Sequence, residues 1–267
     1  MTKPLAIQLY TLRDPERFGG TGFGLDVAGL EELAAIGYLG VETVDVPGGD
    51  PVAARRALGD AGLAVTSAHT WASVEDLDGF ARAAAAIAEL EAPHIIVSGP
   101  GWADEAAVLA FADVINAAAR VASEHGLRLG YHNHDPEVRS IDGVTGLRRL
   151  ADATDPAVGF QVDVFWVVVG GADPAIVLGE LDGRVISLHL KDGVTLPTSA
   201  RDGGPFLNVP VGAGVVDVAT AVAAAEVQPG IDWLIVEADH PDGPPMDLAR
   251  ASHATLVGRA LGRGREA

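Results

Sequence analysis

The chain contains no cysteine. Disulfides, thiolate metal sites and a cysteine nucleophile are therefore excluded. It is also poor in positive charge, with 18 Lys plus Arg against 37 Asp plus Glu and a formal charge of −19. A field of that sign repels nucleic-acid phosphates and anionic lipid, so neither nucleic acid nor membrane is an expected partner. It also argues against a heavily phosphorylated substrate. No apolar run approaches the ~20 residues that a membrane span needs. The opening residues, MTKPLAIQLY, lead straight into a strand-like run without an apolar leader and cleavage site, so a cytoplasmic protein is the expectation. No linker composition divides the chain, and no low-complexity tail exceeds the final GRGREA. The one Gly-rich cluster, GGTGFG at 19–24, lacks the rest of a dinucleotide-binding fingerprint and reads as a loop.

What is present is a regular alternation. With 267 residues and 48% hydrophobic content, the chain can bury a sizeable α/β core. Short apolar runs at 5–10, 39–44, 64–69, 94–98, 128–132, 158–163, 185–190 and 233–237 read as strands. Between and after them lie Ala-rich helical patterns near 26–36, 51–61, 74–90, 104–124, 144–153, 174–181, 216–225 and 246–261. Strict strand–helix alternation argues for parallel pairing, because each crossover needs a helix. Eight such units in about 250 residues predict one closed (β/α)8 TIM barrel domain over 1–267. Segments 13–24 and 191–215 are long for barrel loops and read as lids.

The apolar strands end in ionisable groups. In such barrels the active site lies at the C-terminal face of the strands. The ends here carry Gln8 and Tyr10, Glu42, His69, His132 and His134, Asp163, His189 and Lys191, and Glu237 and Asp239. Burying so many charges on one rim without a partner is costly. A divalent metal is the simplest partner. Four consecutive strands offer His132, Asp163, His189 and Glu237, and neighbouring strands lie ~4.8 Å apart. Imidazole and carboxylate together suit Mn²⁺, Fe²⁺, Co²⁺ or Zn²⁺ better than Ca²⁺. Trp71, Trp102, Trp166 and Phe206 fall in or near the top loops, where aromatic walls suit sugar C–H faces. His94 starts a strand at the barrel bottom and reads as structural. His125 closes a helix, His240 reads as rim-exposed, and His253 reads as a surface residue of the last helix.

These residues carry a family likeness across essentially the whole chain. IQLYTLRD, IGYLGVE, SAH, GYHNHD, VDVFW with GGADP, ISLHLKDG, VGAGVVD and VEAD resemble the xylose isomerase-like TIM barrels, in particular the sugar phosphate isomerases and epimerases. The resemblance implies one divalent metal, most often Mn²⁺, with Co²⁺, Zn²⁺, Fe²⁺ or Mg²⁺ as alternatives, held by His132, Asp163, His189 and Glu237. It implies a small carbohydrate substrate and proton abstraction next to a carbonyl, through an enediolate. Glu237 is then the first candidate base and Glu42 the second, with His69 and Lys191 as further acid/base or oxyanion groups. Gln8, Tyr10, His134, Trp166, Trp102 and Arg201 are the candidate substrate contacts. A homo-oligomer is compatible with the fold. His132 stands where the epimerases have a glutamate that serves as half of an acid/base pair. Trp166 stands where many relatives have a histidine, and Ala213 interrupts a common G-E-G. A metal-dependent lyase acting on a keto-inositol or 3-keto-glycoside is therefore the alternative, and a non-catalytic sugar-binding barrel the third reading.

Overall fold

The structure is a computed structural model that describes residues 2–13, 26–181, 183–199 and 206–265. Gly19–Gly24 and Arg201 lie outside the described residues. Eight parallel strands close into a barrel. They are β1 (Leu5–Gln8), β2 (Gly40–Val44), β3 (Ala64–His69), β4 (His94–Ser98), β5 (Arg128–His132), β6 (Gly159–Asp163), β7 (Val185–Leu190) and β8 (Trp233–Val236). Each strand pairs with its sequence neighbours, and β1 closes the ring against β8 through Ala6 and Ile235. The α-helices around it are α1 (Val27–Ile36), α2 (Pro51–Asp60), α3 (Leu77–Ala88), α4 (Glu105–Glu124), α5 (Gly146–Ala153), α6 (Val164–Val169), α7 (Pro174–Glu180), α8 (Val218–Glu226) and α9 (Pro245–Gly258).

One expectation is corrected and two features are new. The first strand stops at Gln8 because the Gln8 side chain accepts from Tyr10 N–H and starts a 3-10 turn over Leu9–Leu12. The loop after β5 contains an unforeseen hairpin, Ser140–Ile141 against Val144–Thr145. Finally, α6 starts directly at the end of β6. Asp163 caps it by accepting from Phe165 and Trp166 N–H, so the β-branched run Val164–Val169 is helical rather than extended.

Helix α4 is long and apolar enough, by composition alone, to cross a membrane. Its buried residues, Val108, Ala112, Ile115, Ala118 and Ala122, recur every three or four positions and form the stripe that packs on the barrel. Inside the barrel, side chains from alternate strands fill the space. A Cβ on Gly130 would come within 2.6–2.7 Å of Ile96 and Ile186, so this glycine makes room for both.

The segment after β7 is organised by one carboxylate. Asp192 is fully buried and accepts from the backbone N–H of Gly193, Gly212, Gly214 and Val216 at 2.9–3.1 Å. Phe206, Asn208, Val211 and Val216 are buried beneath this nest. Residues 206–216 are thus tied to the barrel. At Gly214 a Cβ would sit 2.2 Å from Asp192 Oδ1, which leaves no room for a side chain. Asp192→Ala is expected to lower unfolding stability by about 3 kcal/mol, because buried N–H donors lose their acceptor. Urea unfolding of the variant measures this, and a loss under about 0.5 kcal/mol would contradict it.

Candidate metal centre

The inward-facing positions of β6 are Gly159, Gln161 and Asp163, and those of β7 are Ser187, His189 and, just past the strand, Lys191. Alternation along a strand puts each set on one face. Glu42 comes from β2, His69 from β3, His132 from β5 and Glu237 follows β8. These side chains meet at the C-terminal end of the barrel. One ligand atom from each of His132, Asp163, His189 and Glu237 lies within 4.8 Å of the others, and all four residues are buried.

Glu42 lies beneath this group and is fully buried. Its Oε1 accepts from Gln8 Nε2 at 2.6 Å and His189 Nε2 at 2.6 Å, with His69 Nε2 at 3.3 Å. Its Oε2 accepts from Gln161 Nε2 at 2.6 Å and from the Ser67 hydroxyl. Burial would raise its pKa, but the His69 and His189 charges and hydrogen bonds hold it well below the usual carboxylate range. It does not line the cavity above, so the structure places this candidate base where it holds His189 instead.

Gln161 was not singled out from the sequence, yet it sets the orientation of two imidazoles. Its amide nitrogen must face Glu42, because an ionised carboxylate only accepts. The amide oxygen therefore faces the histidines and accepts from His69 Nε2–H at 2.7 Å and His132 Nδ1–H at 2.9 Å. That leaves His132 Nε2 with the lone pair. His189 is oriented the other way: Glu42 takes its Nε2–H, and its Nδ1 faces Glu237 Oε2 at 2.9 Å.

Lys191 is fully buried among carboxylates, with Nζ 3.0 Å from Asp163 Oδ2, 2.7 Å from Glu237 Oε2 and 2.8 Å from Asp239 Oδ2. Burial disfavours its charge, but Asp163, Asp239 and Glu237 hold its pKa well above the ordinary value. Burial also works against ionisation of Glu237, and Lys191 and His189 overcome it. In Asp163 burial dominates and raises the pKa despite Lys191. Burial, followed by the charges of neighbouring groups, pushes His132 well below the usual histidine range. Burial and Lys191 push His134 down to about 4, so both imidazoles are neutral near pH 7. His189 goes the other way. Burial lowers its pKa, but Glu237 and Glu42 push it up to about 10.

The donor set suits a divalent cation. Opposed ligands at about 2.1 Å from an ion are about 4.2 Å apart, so a 4.8 Å cluster closes on one with small side-chain shifts. Asp163 Oδ2 is buried and makes no hydrogen bond, its ion pair with Lys191 apart. Glu42 and Gln161 supply the outer partners that orient metal-binding imidazoles.

Above the group opens a cavity of about 480 Å³. Gln8, Tyr10, His69, His132, His134, Lys191 and Glu237 line it. Asp239 and Trp71 join them. Trp102 and Trp166 do not line it. Trp102 packs on Phe111 and Tyr131 behind the wall, and Trp166 is buried between His134, Phe165 and Phe206. His94 begins β4 at the barrel bottom, His125 caps α4, and His240 is exposed against Phe206. The surface assignment of His253 is corrected: its ring is half-buried edge-on against Tyr38, where the last helix crosses the barrel bottom.

Fold and site together define a (β/α)8 barrel with a candidate metal centre at its mouth. The family model for the xylose isomerase-like TIM barrel matches residues 30–257, and the chain belongs to that family. Among solved structures, a sugar phosphate isomerase/epimerase from Parabacteroides distasonis superposes with a TM-score of 0.78 at 21% identity, covering 98% of this chain and 96% of that one. The IolI protein with a bound zinc atom gives a TM-score of 0.72 at 12% identity, over 97% and 99% of the two chains. A 3-keto-D-glucoside 4-epimerase from E. coli gives 0.70 at 14% identity, over 96% and 99%. Identities this low establish the shared fold. Comparison of the sequence with curated proteins gave no match.

Two outcomes are expected of metal titrations. A cation bound through His189 Nδ1 displaces the proton that holds that imidazole charged up to about pH 10. Affinity for Mn²⁺ should therefore rise with pH, by about a hundredfold from pH 6 to 8 for one proton released. Calorimetry in buffers of different ionisation enthalpy measures both; pH-independent binding would contradict the assignment. Gln161→Met keeps the volume but frees both imidazoles to change tautomer, and should weaken Mn²⁺ about 10–100-fold. Unchanged affinity would show that Gln161 does not orient His132.

Proposed function

We propose that this chain is a divalent-metal-dependent isomerase or epimerase of a keto sugar or sugar derivative, working by proton abstraction next to a carbonyl. The observation that carries the reading is the convergence of His132, Asp163, His189 and Glu237 beneath a cavity that His132, Glu237 and the buried Lys191 ammonium line. The family and the sugar-modifying names of its structural neighbours support it. Mn²⁺ is the metal we favour, since imidazole and carboxylate donors suit a borderline-hard ion.

The chemistry such a cation supplies is polarisation of the substrate's carbonyl and adjacent hydroxyl oxygens. Glu237 is ionised and reaches the cavity, so it takes the proton from the neighbouring C–H. The Lys191 ammonium donates to the oxygen on which negative charge develops. His134 and His69 line the cavity and bind substrate hydroxyls. Gln8 and Tyr10 line the β1 side of the cavity and are the remaining described contacts. Arg201 is kept as a substrate contact on sequence grounds. Returning the proton to the neighbouring carbon isomerises the sugar; returning it to the opposite face of the same carbon inverts it.

A second reading has its own support. His132 uses Nδ1 for Gln161 and leaves only Nε2 for the metal, so it has no site left for proton exchange. The acid/base pair of two glutamates across the substrate is then incomplete. With Lys191 protonating a departing oxygen, the same first step leads to β-elimination, and the chain is a lyase on a keto-inositol or 3-keto-glycoside.

The test is a panel of ketoses, keto-inositols and 3-keto-glycosides incubated with Mn²⁺ and read by product NMR. An isomer of unchanged mass supports the first reading; an unsaturated product or released aglycone supports the second. Chelation should abolish turnover and Mn²⁺ restore it. Glu237→Gln should lower kcat by about 10³. Full activity in the metal-stripped protein or in Glu237→Gln would sink both readings.

A further inference from the structure

The cavity has two unlike ends. At the buried end stand Glu237, His132 and Lys191. At the open end stands Trp71, 65% exposed although it lines the same cavity. An exposed indole at a cavity mouth presents a flat apolar face that a bound ring can cover. This one is also held in place. Thr70 Oγ1 donates to Asp45 Oδ1 at 2.6 Å and accepts from Ala72 N–H at 3.1 Å, on either side of Trp71. Three residues on, Val74 is buried in the core and anchors the loop. Across the opening, the Tyr10 ring lies 6.5 Å from Trp71 with the planes tilted by 57°, and the Arg13 guanidinium stacks on Tyr10 at 4.0 Å. A rigid, water-exposed aromatic face beside a second aromatic is a preorganised surface for a flat apolar ring.

We propose that Trp71 and Tyr10 form a subsite for a second ring, so that the substrate is a glycoside whose aglycone ring stacks on Trp71 while its sugar ring reaches the carboxylates. The proposal rests on the keto-sugar reading and narrows it. Trp71 stands at the exposed end and Glu237, His132 and Lys191 at the buried end, and about 480 Å³ has room for a second ring. The lining carboxylates Glu75, Glu237 and Asp239 and the overall charge of −19 select a neutral ring over a phosphorylated group. Both an aryl group and a second sugar present a suitable C–H or π face.

The test uses unreactive ligands, so it does not depend on turnover. Methyl D-glucopyranosides, phenyl D-glucopyranosides and glucose disaccharides, each as both anomers, are titrated into the Mn²⁺-loaded protein by calorimetry. At least one phenyl glucoside or disaccharide should bind about tenfold tighter than its methyl counterpart, and which one does distinguishes an aryl from a glycosyl aglycone. Trp71→Ala should erase that preference and Trp71→Phe keep most of it. Because Trp71 is exposed, an unchanged thermal midpoint separates loss of stacking from loss of fold. Equal binding of methyl and ringed ligands, a preference that survives Trp71→Ala, or no binding of any glycoside would overturn the subsite. A ring preference that persists while no keto sugar is turned over would instead overturn the keto-sugar reading and leave the subsite standing.

Discussion

A carboxylate sealed inside a barrel has to be met by donors on every side, and Glu42 is met by Gln8, Ser67, His69, Gln161 and His189. Those residues come from β1, β3, β6 and β7, so one charge ties four strands together at the depth where the site begins. The consequences run upward. Because Glu42 takes the Nε2–H of His189, the other imidazole nitrogen must face Glu237. Because it takes the amide of Gln161, the amide oxygen must face His132 and His69. Hydrogen bonds to an ionised group are stronger than neutral ones, and in a low-dielectric interior an unmatched partner is costly. The candidate ligands are therefore oriented before any ion or substrate arrives.

The barrel was legible because its signals are local and repeated: eight apolar runs, each followed by a helical pattern, with polar groups at the same end. The four candidate ligands were legible for the same reason. What was not legible depended on depth or on distant partners. Glu42 and Glu237 were read alike as strand-end carboxylates, but β2 runs on past Glu42 to Val44, which sets Glu42 deeper, and only Glu237 reaches the cavity. Gln161 carries no charge and drew no notice, though it sits two residues before Asp163 on the same face, and that parity was the available signal. Trp102 and Trp166 were read as sugar walls, since sequence marks an aromatic in a loop but not which way it packs. The helix Val164–Val169 went unseen because a β-branched run reads as extended until Asp163 caps it. Asp192 collects N–H groups from up to twenty-four residues away, which no local pattern reveals.

The two ends of the cavity obey different rules. At the floor the polar groups are linked to one another, so a change of one residue disturbs several. Gln161 alone touches His69, His132, Glu42 and Ser187. At the mouth, Trp71 is placed by the Thr70 contacts of its own loop, whereas Tyr10 is tied to the floor through Gln8, which accepts from Tyr10 N–H. A change at Trp71 thus lies farther from the groups that do the chemistry than a change at Tyr10.

The charge at the floor suits a cationic partner. Glu42, Asp163, Glu237 and Asp239 face Lys191 and a His189 that its two carboxylates keep protonated. Four carboxylates there face these two cations and His69, which adds a charge beside Glu42 only when protonated, and Glu42, Asp163 and Glu237 are buried. Proteins do not bury unbalanced charge cheaply. The strain is visible at Asp163, where burial raises the pKa even with an ammonium at 3.0 Å. Partial protonation of Asp163 would relieve one charge. A divalent cation would offset more of the negative charge and would leave Lys191 charged beside the substrate. It would expel the His189 proton, and the resulting neutral imidazole is the form that binds metal. Among the ways to balance this floor, a divalent cation needs no rearrangement of Glu42 or Gln161, because both already hold the imidazoles by the nitrogens that face away from it.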